Sequence, residues 1–484
     1  MIINKLKSDG VYCLGQASGC SVTGSCYLVK FGQSNVLLEC GLYQSATNSY
    51  IDAYNVNSRP FDFKPKSIDA VIIGHPHIDH TGLLPRLVAE GYSSPIYATK
   101  KTISVLKPLL MNSQAILESE AKLLSRKYKR EYKPIYTVAD VKRTMELLVP
   151  CDEAYVVPIS ITPEIQLSFL RNSHTVGSTQ IKLVCKDELR TKKILYTSDI
   201  GAFETENHFV DRLEPATGYY DVVIGESTYG CRGDSNRRRK TDLELLKTTA
   251  DKAIEQGGSV LISAFSFQRT QELLLSLWEI YGGNPNFYVP IVVDSRLSVD
   301  ICKLYSRLLE GEDKILWQRV MSWGNLHLIS DKEESDACMA DTTIPKIVIS
   351  ASGFMTAGRS VSWCKALLGD SRNAIILSGY AGSSKEFLSF RLKNARQHEK
   401  IKVNGTWVSC EADLRALLTM SSHMPHRDLV EYYGGKYFDC EKLILCHGSE
   451  DAKVALKADI EKEKEKNNRT YKVLLGNIGM LVRF

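Results

Sequence analysis

The sequence predicts a mixed α/β protein in which one domain is interrupted by a second. The first third of the chain contains short apolar runs bounded by Gly, Ser or Asn, which is typical of strands joined by hairpins. Between residues 259 and 380 the apolar runs are continuous and are separated by helical or loop stretches, which indicates buried parallel strands. After a polar passage at residues 394–400, runs of the first kind return.

The elements of the first part follow one another in a regular order. Antiparallel strands are predicted at VYCLG, SCYLVKFG, NVLLEC, IDAVIIGH and SPIYAT. From residue 106 to 149 apolar residues recur at spacings of three and four, which predicts two helices joined by the basic link SRKYKREYK. Strands resume at IQLSFL, IKLVC, KKILYTSD and DVVIGEST.

A basic entry into a long amphipathic helix, NRRRKTDLELLKTTADKAIEQGG, marks the start of the second domain. Its parallel strands are predicted at VLISAF, PIVVDS, KIVISAS and AIILSGY, and the closing strands at KVNGTWVSC, KLILCHG and KVLLGNIG. We therefore divide the chain into residues 1–235, an inserted α/β domain at 236–398, and a closing part of the first domain at 399–484.

Composition excludes several classes of protein. The chain has 484 residues, of which 44% are hydrophobic and 24% charged, as in an ordinary globular protein. It has no run of eighteen apolar residues, and its start MIINKLKSDG lacks the apolar core of a secretory signal, so we expect no membrane partner. The thirteen cysteines form no CxxC pair, which favours a reduced, cytoplasmic protein. A net charge of +5 does not decide whether nucleic acid is bound.

The stretch GHPHIDHTG concentrates metal-ligand side chains at the end of an apolar run. Imidazoles and carboxylates are the ligands expected for Zn²⁺ or a similar cation when no thiolate takes part. Strand alternation places His75 and His77 on one side, while Asp79 and His80 follow in the turn and could face a second cation. The spacing HxHxDH therefore suits a two-metal site.

Later strand ends offer three further ligands. His174 in RNSHTVGS, Asp199 in LYTSDIG and His447 in LCHGSE each follow an apolar run. Taken singly, a strand-end His or Asp more often caps a turn than binds a metal, so their weight depends on belonging to a set.

In order and spacing, HPHIDH, SHTVG, YTSD and CHG resemble the ligand motifs of the metallo-β-lactamase fold, an αββα sandwich. The resemblance implies two Zn²⁺ ions, with Mn²⁺ as an alternative, and a catalytic role for Asp79 besides its role as a ligand. It further implies that the first metal is held by His75, His77 and His174, the second by Asp79, His80 and His447, and that Asp199 bridges them.

One position departs from the family pattern. The family usually has Asp-Cys-Gly after an early strand, whereas this chain has Glu39-Cys40-Gly41. The family residue orients ligand histidines, so Glu39 either does so from a shifted backbone or weakens the site. The alternative is an ordinary strand-end Glu.

The α/β segment from about Arg237 to Asn394 resembles the β-CASP insertion of nucleic-acid-processing enzymes. GESTYG resembles motif A of that group, with Glu226, and TMSSHMPHRDL resembles motif B, with His423. The usual residues after the motif B histidine are replaced, which makes His426 a rival. Motif C is a His in members that act on RNA, and here it is His447. The likeness is to bacterial and archaeal ribonucleases related to the endonuclease of mRNA 3′-end cleavage.

The resemblance implies cleavage of RNA by water activated at the two zinc ions. A carboxylate neighbour favours protonated His, so we predict His423, supported by Glu226, as the general acid. A single-stranded RNA substrate would need positive charge and hydrogen-bond donors, for which the Gly/Ser-rich strand ends of the insertion are candidates. The predicted substrate-binding residues are Arg269, Ser350, Ser352, Gly353 and Ser378.

The leading hypothesis is an endonuclease that leaves a 5′-phosphate and a 3′-hydroxyl. Three alternatives remain open: a 5′-exoribonuclease of the same group, a small-ester hydrolase with the same metals, and a non-catalytic RNA-processing scaffold. The oligomeric state is also open, and a homodimer is one alternative.

Overall fold

The computed structural model describes residues 8–152, 158–231, 238–382 and 384–484. Strands and α-helices are numbered in chain order as β1–β22 and α1–α14. The boundary predicted between residues 235 and 236 lies outside the described residues.

In the described part of the chain, seven strands form the first sheet, in the order β22-β1-β2-β3-β4-β5-β6. They are β1 (Gly10–Cys13), β2 (Tyr27–Phe31), β3 (Ser34–Leu38), β4 (Ala70–Ile72), β5 (Ile96–Thr99), β6 (Leu148–Cys151) and β22 (Leu481–Arg483). Pairing is antiparallel from β22 to β3, as predicted, but parallel from β3 to β6. The prediction of hairpins around β4 and β5 was wrong because helical crossovers return the chain to the same edge.

Seven strands of the described residues form the second sheet, in the order β21-β20-β11-β10-β9-β8-β7. They are β7 (Ile159–Ser160), β8 (Ile165–Arg171), β9 (Thr179–Lys186), β10 (Thr191–Tyr196), β11 (Gly218–Glu226), β20 (Phe438–Cys446) and β21 (Lys472–Leu475). Side chains from both sheets, such as Val29, Ile72, Phe169 and Ile444, are fully buried in one core between them. Burial of these apolar faces drives the two sheets together.

Helices cover the outer faces of both sheets. The first sheet packs under α3 (Leu84–Ala89), α4 (Lys100–Tyr128) and α5 (Val138–Glu146), and the second under α13 (His426–Gly434) and α14 (Glu450–Lys466). Two short helices, α1 (Tyr50–Asn57) and α2 (Ile78–Thr81), lie in the first sheet's connections. The predicted αββα sandwich is therefore confirmed.

The inserted domain is built on a parallel sheet, as predicted. Among the described ranges, six strands run in the order β14-β13-β15-β12-β16-β19, and every pair is parallel. They are β12 (Val260–Ser263), β13 (Ile291–Asp294), β14 (Leu326–Ile329), β15 (Ile347–Ser350), β16 (Ala374–Leu377) and β19 (Asp413–Ala416). The helices of this region are α6 (Arg239–Glu255), α7 (Arg269–Tyr281), α8 (Arg296–Leu308), α9 (Gly311–Met321), α10 (Lys332–Ala340), α11 (Arg359–Leu367) and α12 (Leu388–Lys393).

The sheet of the insertion continues beyond residue 398. A hairpin of β17 (Lys400–Val403) and β18 (Thr406–Ser409) leads into β19, which pairs with β16. We therefore propose that the closing part of the first domain begins after Ala416 rather than at residue 399. Within the described residues, none of the helices combines the length and apolar character needed to cross a membrane.

Candidate metal centre

Seven imidazole and carboxylate side chains lie together where strands of the two stacked sheets end. They are His75, His77, Asp79, His80, His174, Asp199 and His447. The first four follow β4 and enter α2, while the other three follow β8, β10 and β20. These are the seven positions that the sequence analysis selected.

Left-handed backbone turns the chain sharply at several of these strand ends. Glu39, Ser173, Ser198 and His447 have φ angles of 61°, 54°, 52° and 50°. Residues other than glycine adopt this conformation rarely and at a cost, which the surrounding structure must offset. The turns direct the neighbouring side chains toward one point.

One group of donor atoms comprises His75, His77, His174 and Asp199, whose ligand atoms all lie within 4.8 Å of one another. The Nε2 of His75 lies 3.0 Å from the Nδ1 of His77 and 3.6 Å from the Oδ2 of Asp199. The same Oδ2 lies 3.8 Å from the Nε2 of His174.

A second group comprises Asp79, His80, Asp199 and His447. The Nε2 atoms of His80 and His447 lie 3.2 Å apart, and they lie 3.2 and 3.3 Å from the Oδ1 of Asp199. The Oδ2 of Asp79 lies 3.4 Å from the Nε2 of His447. Asp199 thus presents one oxygen to each group.

These donor sets fit two divalent cations. Ligand atoms about 2.0–2.1 Å from one cation lie roughly 3.0–3.4 Å from each other, which the shortest separations match. Within the described residues, the buried Nε2 of His174 has no hydrogen-bond partner. An unsatisfied buried polar atom is costly, and a bound cation would satisfy it.

The protonation states agree with this fit. Burial, reinforced by neighbouring imidazoles, holds the pKa of both His75 and His174 well below its usual range, so these rings are neutral and able to bind a metal. Burial opposes ionisation of Asp199, but His447 and His80 outweigh it and hold the pKa of that carboxyl well below its usual range. Burial likewise opposes the charge on His80, yet Asp199 and Asp79 raise its pKa well above the usual range. The carboxylates therefore attract positive charge to this position.

Glu39 lies behind the histidines in a fully buried position. Its Oε1 accepts hydrogen bonds from the amide of Gly74 and the hydroxyl of Ser198, at 3.1 and 3.2 Å, and lies 3.5 Å from the Nδ1 of His80. Ser198 in turn lies 3.0 Å from the Nδ1 of His75. The Glu39 carboxylate thus contacts a histidine of the second group directly and one of the first group through Ser198.

The pair predicted for acid catalysis lies beside the metal centre. The Nδ1 of His423 lies 3.1 Å from the Oε1 of Glu226, and the His423 ring centroid is 4.7 Å from that of His174. The Glu226 carboxylate is held by the amides of Ile200 and Thr228, at 3.0 and 3.1 Å. Burial lowers the pKa of His423, but Glu226 outweighs it and raises the pKa to about 10.

His426, the alternative candidate for the general acid, contacts a different carboxylate. It begins α13, and its Nε2 lies 3.1 Å from the Oδ2 of Asp459 on α14. The contact joins two surface helices of the second sheet, so geometry favours His423 as the acid.

The predicted substrate-binding residues lie at the carboxyl ends of the inserted sheet. Gly353 and Ser378 line one cleft. The hydroxyls of Ser350 and Ser378 donate to the carbonyls of Asp294 and Ser263, at 2.8 and 2.6 Å, so their hydrogens already have acceptors within the protein.

Two other candidates lie close to these strand ends. The Ser352 hydroxyl lies 3.4 Å from that of Thr356. Arg269 lies in the first turn of α7, where burial lowers the pKa of its guanidinium to about 10, and its Nη1 has no hydrogen-bond partner among the described residues.

The sequence did not predict several residues that contact the donor histidines. Thr228 lies 3.0 Å from the Nδ1 of His447, and the carbonyl of Ser422 lies 3.2 Å from the Nδ1 of His174. The Phe267 ring packs edge-on against His77, with centroids 5.6 Å apart. Ser198 could have been found, since it directly precedes Asp199 in YTSD.

The αββα sandwich and the position of this centre at its strand ends place the chain among the metal-dependent hydrolases of the metallo-β-lactamase superfamily. Residues 22–171 match that superfamily, and residues 270–384 match the Beta-Casp domain. Ribonuclease TTHA0252 of Thermus thermophilus is 30% identical over 444 residues, which cover 90% of this chain and 92% of that protein. The chain belongs to the metallo-β-lactamase/β-CASP ribonuclease family.

Other relatives are longer than this chain. Transcription termination factor FttA of Methanocaldococcus jannaschii is 28% identical over 439 residues, which cover 88% of this chain and 65% of that factor. Integrator complex subunit 11 of Danio rerio is 25% identical over 460 residues, which cover 92% of this chain and 70% of that subunit. A crystal structure of a protein of unknown function from Enterococcus faecalis V583 shares the fold, with a TM-score of 0.50 and 12% identity over 98% of this chain and 99% of that one.

Proposed function

We propose that this chain is an endoribonuclease that hydrolyses phosphodiester bonds of single-stranded RNA with two bound Zn²⁺ ions and leaves 5′-phosphate and 3′-hydroxyl ends. The observation that carries the proposal is the His423–Glu226 pair beside His174. A hydrolase for small esters would have no need of an acid held 3.1 Å from a buried carboxylate outside the ligand set.

The ligand set supports zinc as the metal. Imidazole nitrogens with a few carboxylate oxygens suit Zn²⁺, with Mn²⁺ as the alternative. His75, His77 and His174 would hold one ion, Asp79, His80 and His447 the other, and Asp199 would bind both. When bound, the two ions lower the pKa of water and neutralise charge on the phosphoryl oxygens.

The side chains of this protein supply the proton of the reaction. Glu226 engages the Nδ1 of His423, which leaves the Nε2 as the donor toward the substrate. Glu226 raises the pKa of His423 and so favours the protonated ring, which would deliver a proton to the 3′-oxygen as that oxygen leaves. As a water oxygen bonds to phosphorus, the bond between phosphorus and the 3′-oxygen breaks, so that one fragment ends in a 3′-hydroxyl and the other keeps the phosphate at its 5′ end.

RNA is the proposed substrate because His447 stands at motif C, and because the most similar relatives include a protein named ribonuclease. The same His447 belongs to the second donor group, so one residue serves both the metal site and the substrate assignment. All seven donor residues come from one chain, which is compatible with a monomer or a homodimer. A cytoplasmic location fits the thirteen cysteines, which are all free thiols.

Cleavage of one RNA in three forms tests the proposal. Two linear forms carry a 5′-triphosphate or a 5′-monophosphate, and the third form is circular. Each form is incubated with and without chelator. Cleavage of all three, abolished by chelator, with products that carry 5′-phosphate is expected. Degradation of the 5′-monophosphate form alone identifies a 5′-exonuclease, and turnover of a model ester without cleavage of any RNA identifies a small-ester hydrolase. An absence of turnover on every substrate identifies a scaffold.

A further inference from the structure

Two aromatic rings are exposed at the carboxyl ends of adjacent parallel strands in the inserted domain. Phe265, just beyond β12, is 41% exposed, and Tyr380, just beyond β16, is 52% exposed. Both line one small cleft with Gly353, Ser378 and Gly379. Large aromatic side chains gain free energy when they leave water, so a shared exposed cleft indicates a partner.

Both rings pack against a third aromatic ring. Phe354 packs edge-on against both, with centroids 5.1 Å from Phe265 and 6.2 Å from Tyr380 and interplanar angles of 87° and 83°. The Phe265 ring lies so close to Gly353 that a Cβ there would be 3.1 Å from a ring carbon. Rings fixed in this way lose little conformational freedom when a ligand stacks on them.

The cleft is close to the metal centre. Phe267, whose ring packs against the His77 ring, follows Phe265 by two residues, which span at most about 7 Å. A nucleotide that neighbours a phosphate held at the metals and His423 would therefore lie on the side of Phe265.

The chemistry of the cleft suits a base rather than a phosphate. None of the described residues that line it carries a charge. The Ser378 hydroxyl donates to the carbonyl of Ser263, at 2.6 Å, so it is not a free donor for an anion. Aromatic faces bind any base by stacking, but only a base that has left a duplex stack is available.

We propose that Phe265 and Tyr380 form a platform on which an unpaired base beside the scissile phosphate stacks. The proposal rests on the proposed RNA cleavage and assigns its preference for single strands to these two rings. Because both rings recognise a π-face rather than a hydrogen-bond pattern, the platform selects strandedness and not base sequence.

Substitution of the two rings tests the platform. Phe265→Leu and Tyr380→Leu keep apolar volume without a π-face, and Tyr380→Phe keeps the ring and is the matched control. In a His423→Ala background that blocks cleavage, fluorescence anisotropy with a short single-stranded RNA is expected to show a Kd increased roughly five- to hundredfold by each Leu variant and within twofold for Tyr380→Phe.

A substrate without a base completes the test. A set of RNAs is used, each with one abasic ribose at a different position beside the cut. At one of these positions, wild type and Tyr380→Leu are expected to bind the RNA with the same Kd. Turnover of bis(p-nitrophenyl) phosphate by Leu variants that retain His423 is expected to equal that of the wild type, since this diester offers no nucleobase.

The outcomes separate the platform from the proposed function. If wild type cleaves RNA and both Leu variants bind it with unchanged Kd, the platform is refuted while the ribonuclease stands. Equal losses in Tyr380→Phe and Tyr380→Leu would also refute it, because the hydroxyl would then be the contact. A wild type that turns over the small diester but neither binds nor cleaves RNA refutes the proposed function. Should Phe265→Leu fail to fold, the more exposed Tyr380 decides alone.

Discussion

His423 and His426 are three residues apart, yet they serve different parts of the molecule. His423 lies against Glu226 and the metal centre, whereas His426 joins α13 to Asp459 on α14. We expect His423→Ala to lower kcat on RNA by about 10²–10⁴, the usual contribution of a positioned acid, with both cations retained. His426→Ala, a matched loss of one imidazole, is expected to keep kcat within a few fold. Single-turnover rates and metal analysis measure both variants, and equal rates for His423→Ala and wild type would remove His423 from catalysis.

Glu39 is expected to act on metal affinity rather than directly on chemistry. Its carboxylate contacts His80 and, through Ser198, His75, and such outer partners typically change metal affinity by about 10- to 100-fold. Glu39→Ala is therefore expected to raise the Kd for Zn²⁺ by about that factor in a chelator competition. Glu164→Ala is the control, because Glu164 accepts bonds from backbone amides at the β2–β3 turn. An unchanged Kd for Glu39→Ala would mean that Glu39 is an ordinary strand-end residue.

The sequence was sufficient for the seven donor residues, because HxHxDH concentrates four of them and the resemblance to the ordered metallo-β-lactamase motifs adds the other three. It was insufficient for Thr228 and Ser422, which meet His447 and His174 only after β11 has paired within the second sheet and the 417–425 loop has folded. A lone Thr or Ser carries no pattern that distinguishes such a contact from an ordinary loop position. The roles of the donor residues themselves stay a prediction until a metal is measured.

At the scale of elements, backbone hydrogen bonds join the segments before β2 and after β3 to α2. The Ser25 amide donates to the carbonyl of Asp79, at 2.8 Å, and the Cys40 amide donates to that of His80, also at 2.8 Å. Gly41 lies against this turn, and a Cβ there would be 1.7 Å from the Asp79 carbonyl oxygen. Two chain segments can approach this closely only if a glycine occupies the position.

Gly41→Ala is therefore expected to displace the turn that carries Asp79 and His80. Overpacking of this kind costs roughly 1–3 kcal/mol of unfolding free energy, and metal affinity is expected to fall with it. Gly283→Ala, in the turn after α7, is the control, since none of the described atoms lies within 4 Å of its Cβ position. Chemical denaturation and zinc titration measure both effects, and wild-type values for Gly41→Ala would contradict the close approach.

The loop after β10 is joined to the inserted domain by His208, whose Nδ1 and Nε2 lie 2.8 and 2.9 Å from carboxylate oxygens of Glu272 and Glu279 on α7. Burial opposes the charge, but the two carboxylates outweigh it and raise the pKa of His208 to about 9. Because the folded pKa lies above the unfolded value of about 6.5, the stabilisation is full below pH 6.5 and is lost as pH rises through 9.

We therefore expect His208→Gln to reduce the urea midpoint more at pH 6 than at pH 10. The matched control is His327→Gln, since His327 is an exposed imidazole on β14 of the inserted domain. Equal differences from wild type at both pH values would show that the charge on His208 does not stabilise the contact between the loop and α7.

At the scale of the whole molecule, the sequence was sufficient for the parallel sheet of the insertion, because its continuous apolar runs indicate buried parallel strands. It did not predict the parallel pairing of β3 to β6, since strands as short as Ala70–Ile72 carry no periodicity that reports their partner. Nor did it find the edge strands β14 and β19. The β19 sequence DLRA is only half apolar, and the β14 sequence LHLI is interrupted by an exposed His. Edge strands have one covered side, so their sequences resemble loops.

The donor residues come from both stacked sheets, so the two cations would bridge the halves of the sandwich. His75, His77, Asp79 and His80 follow β4 of the first sheet, whereas His174, Asp199 and His447 follow strands of the second. Binding to the folded state alone stabilises it, by about 2.7 kcal/mol for one site at a metal concentration 100 times its Kd. Chelation is therefore expected to lower the Tm by several degrees.

The loss of stability should be confined to the sandwich. Hydrogen exchange is expected to rise in the loops after β4, β8, β10 and β20 on chelation, while the strands of the inserted sheet, which supply no donor residue, keep their protection. Asp199→Asn is the matched control, because it removes the carboxylate shared by both groups and should leave chelator with little further effect on Tm. A metal-loaded protein whose Tm and exchange are unchanged by chelator would show that the two sheets are held together by their apolar core alone.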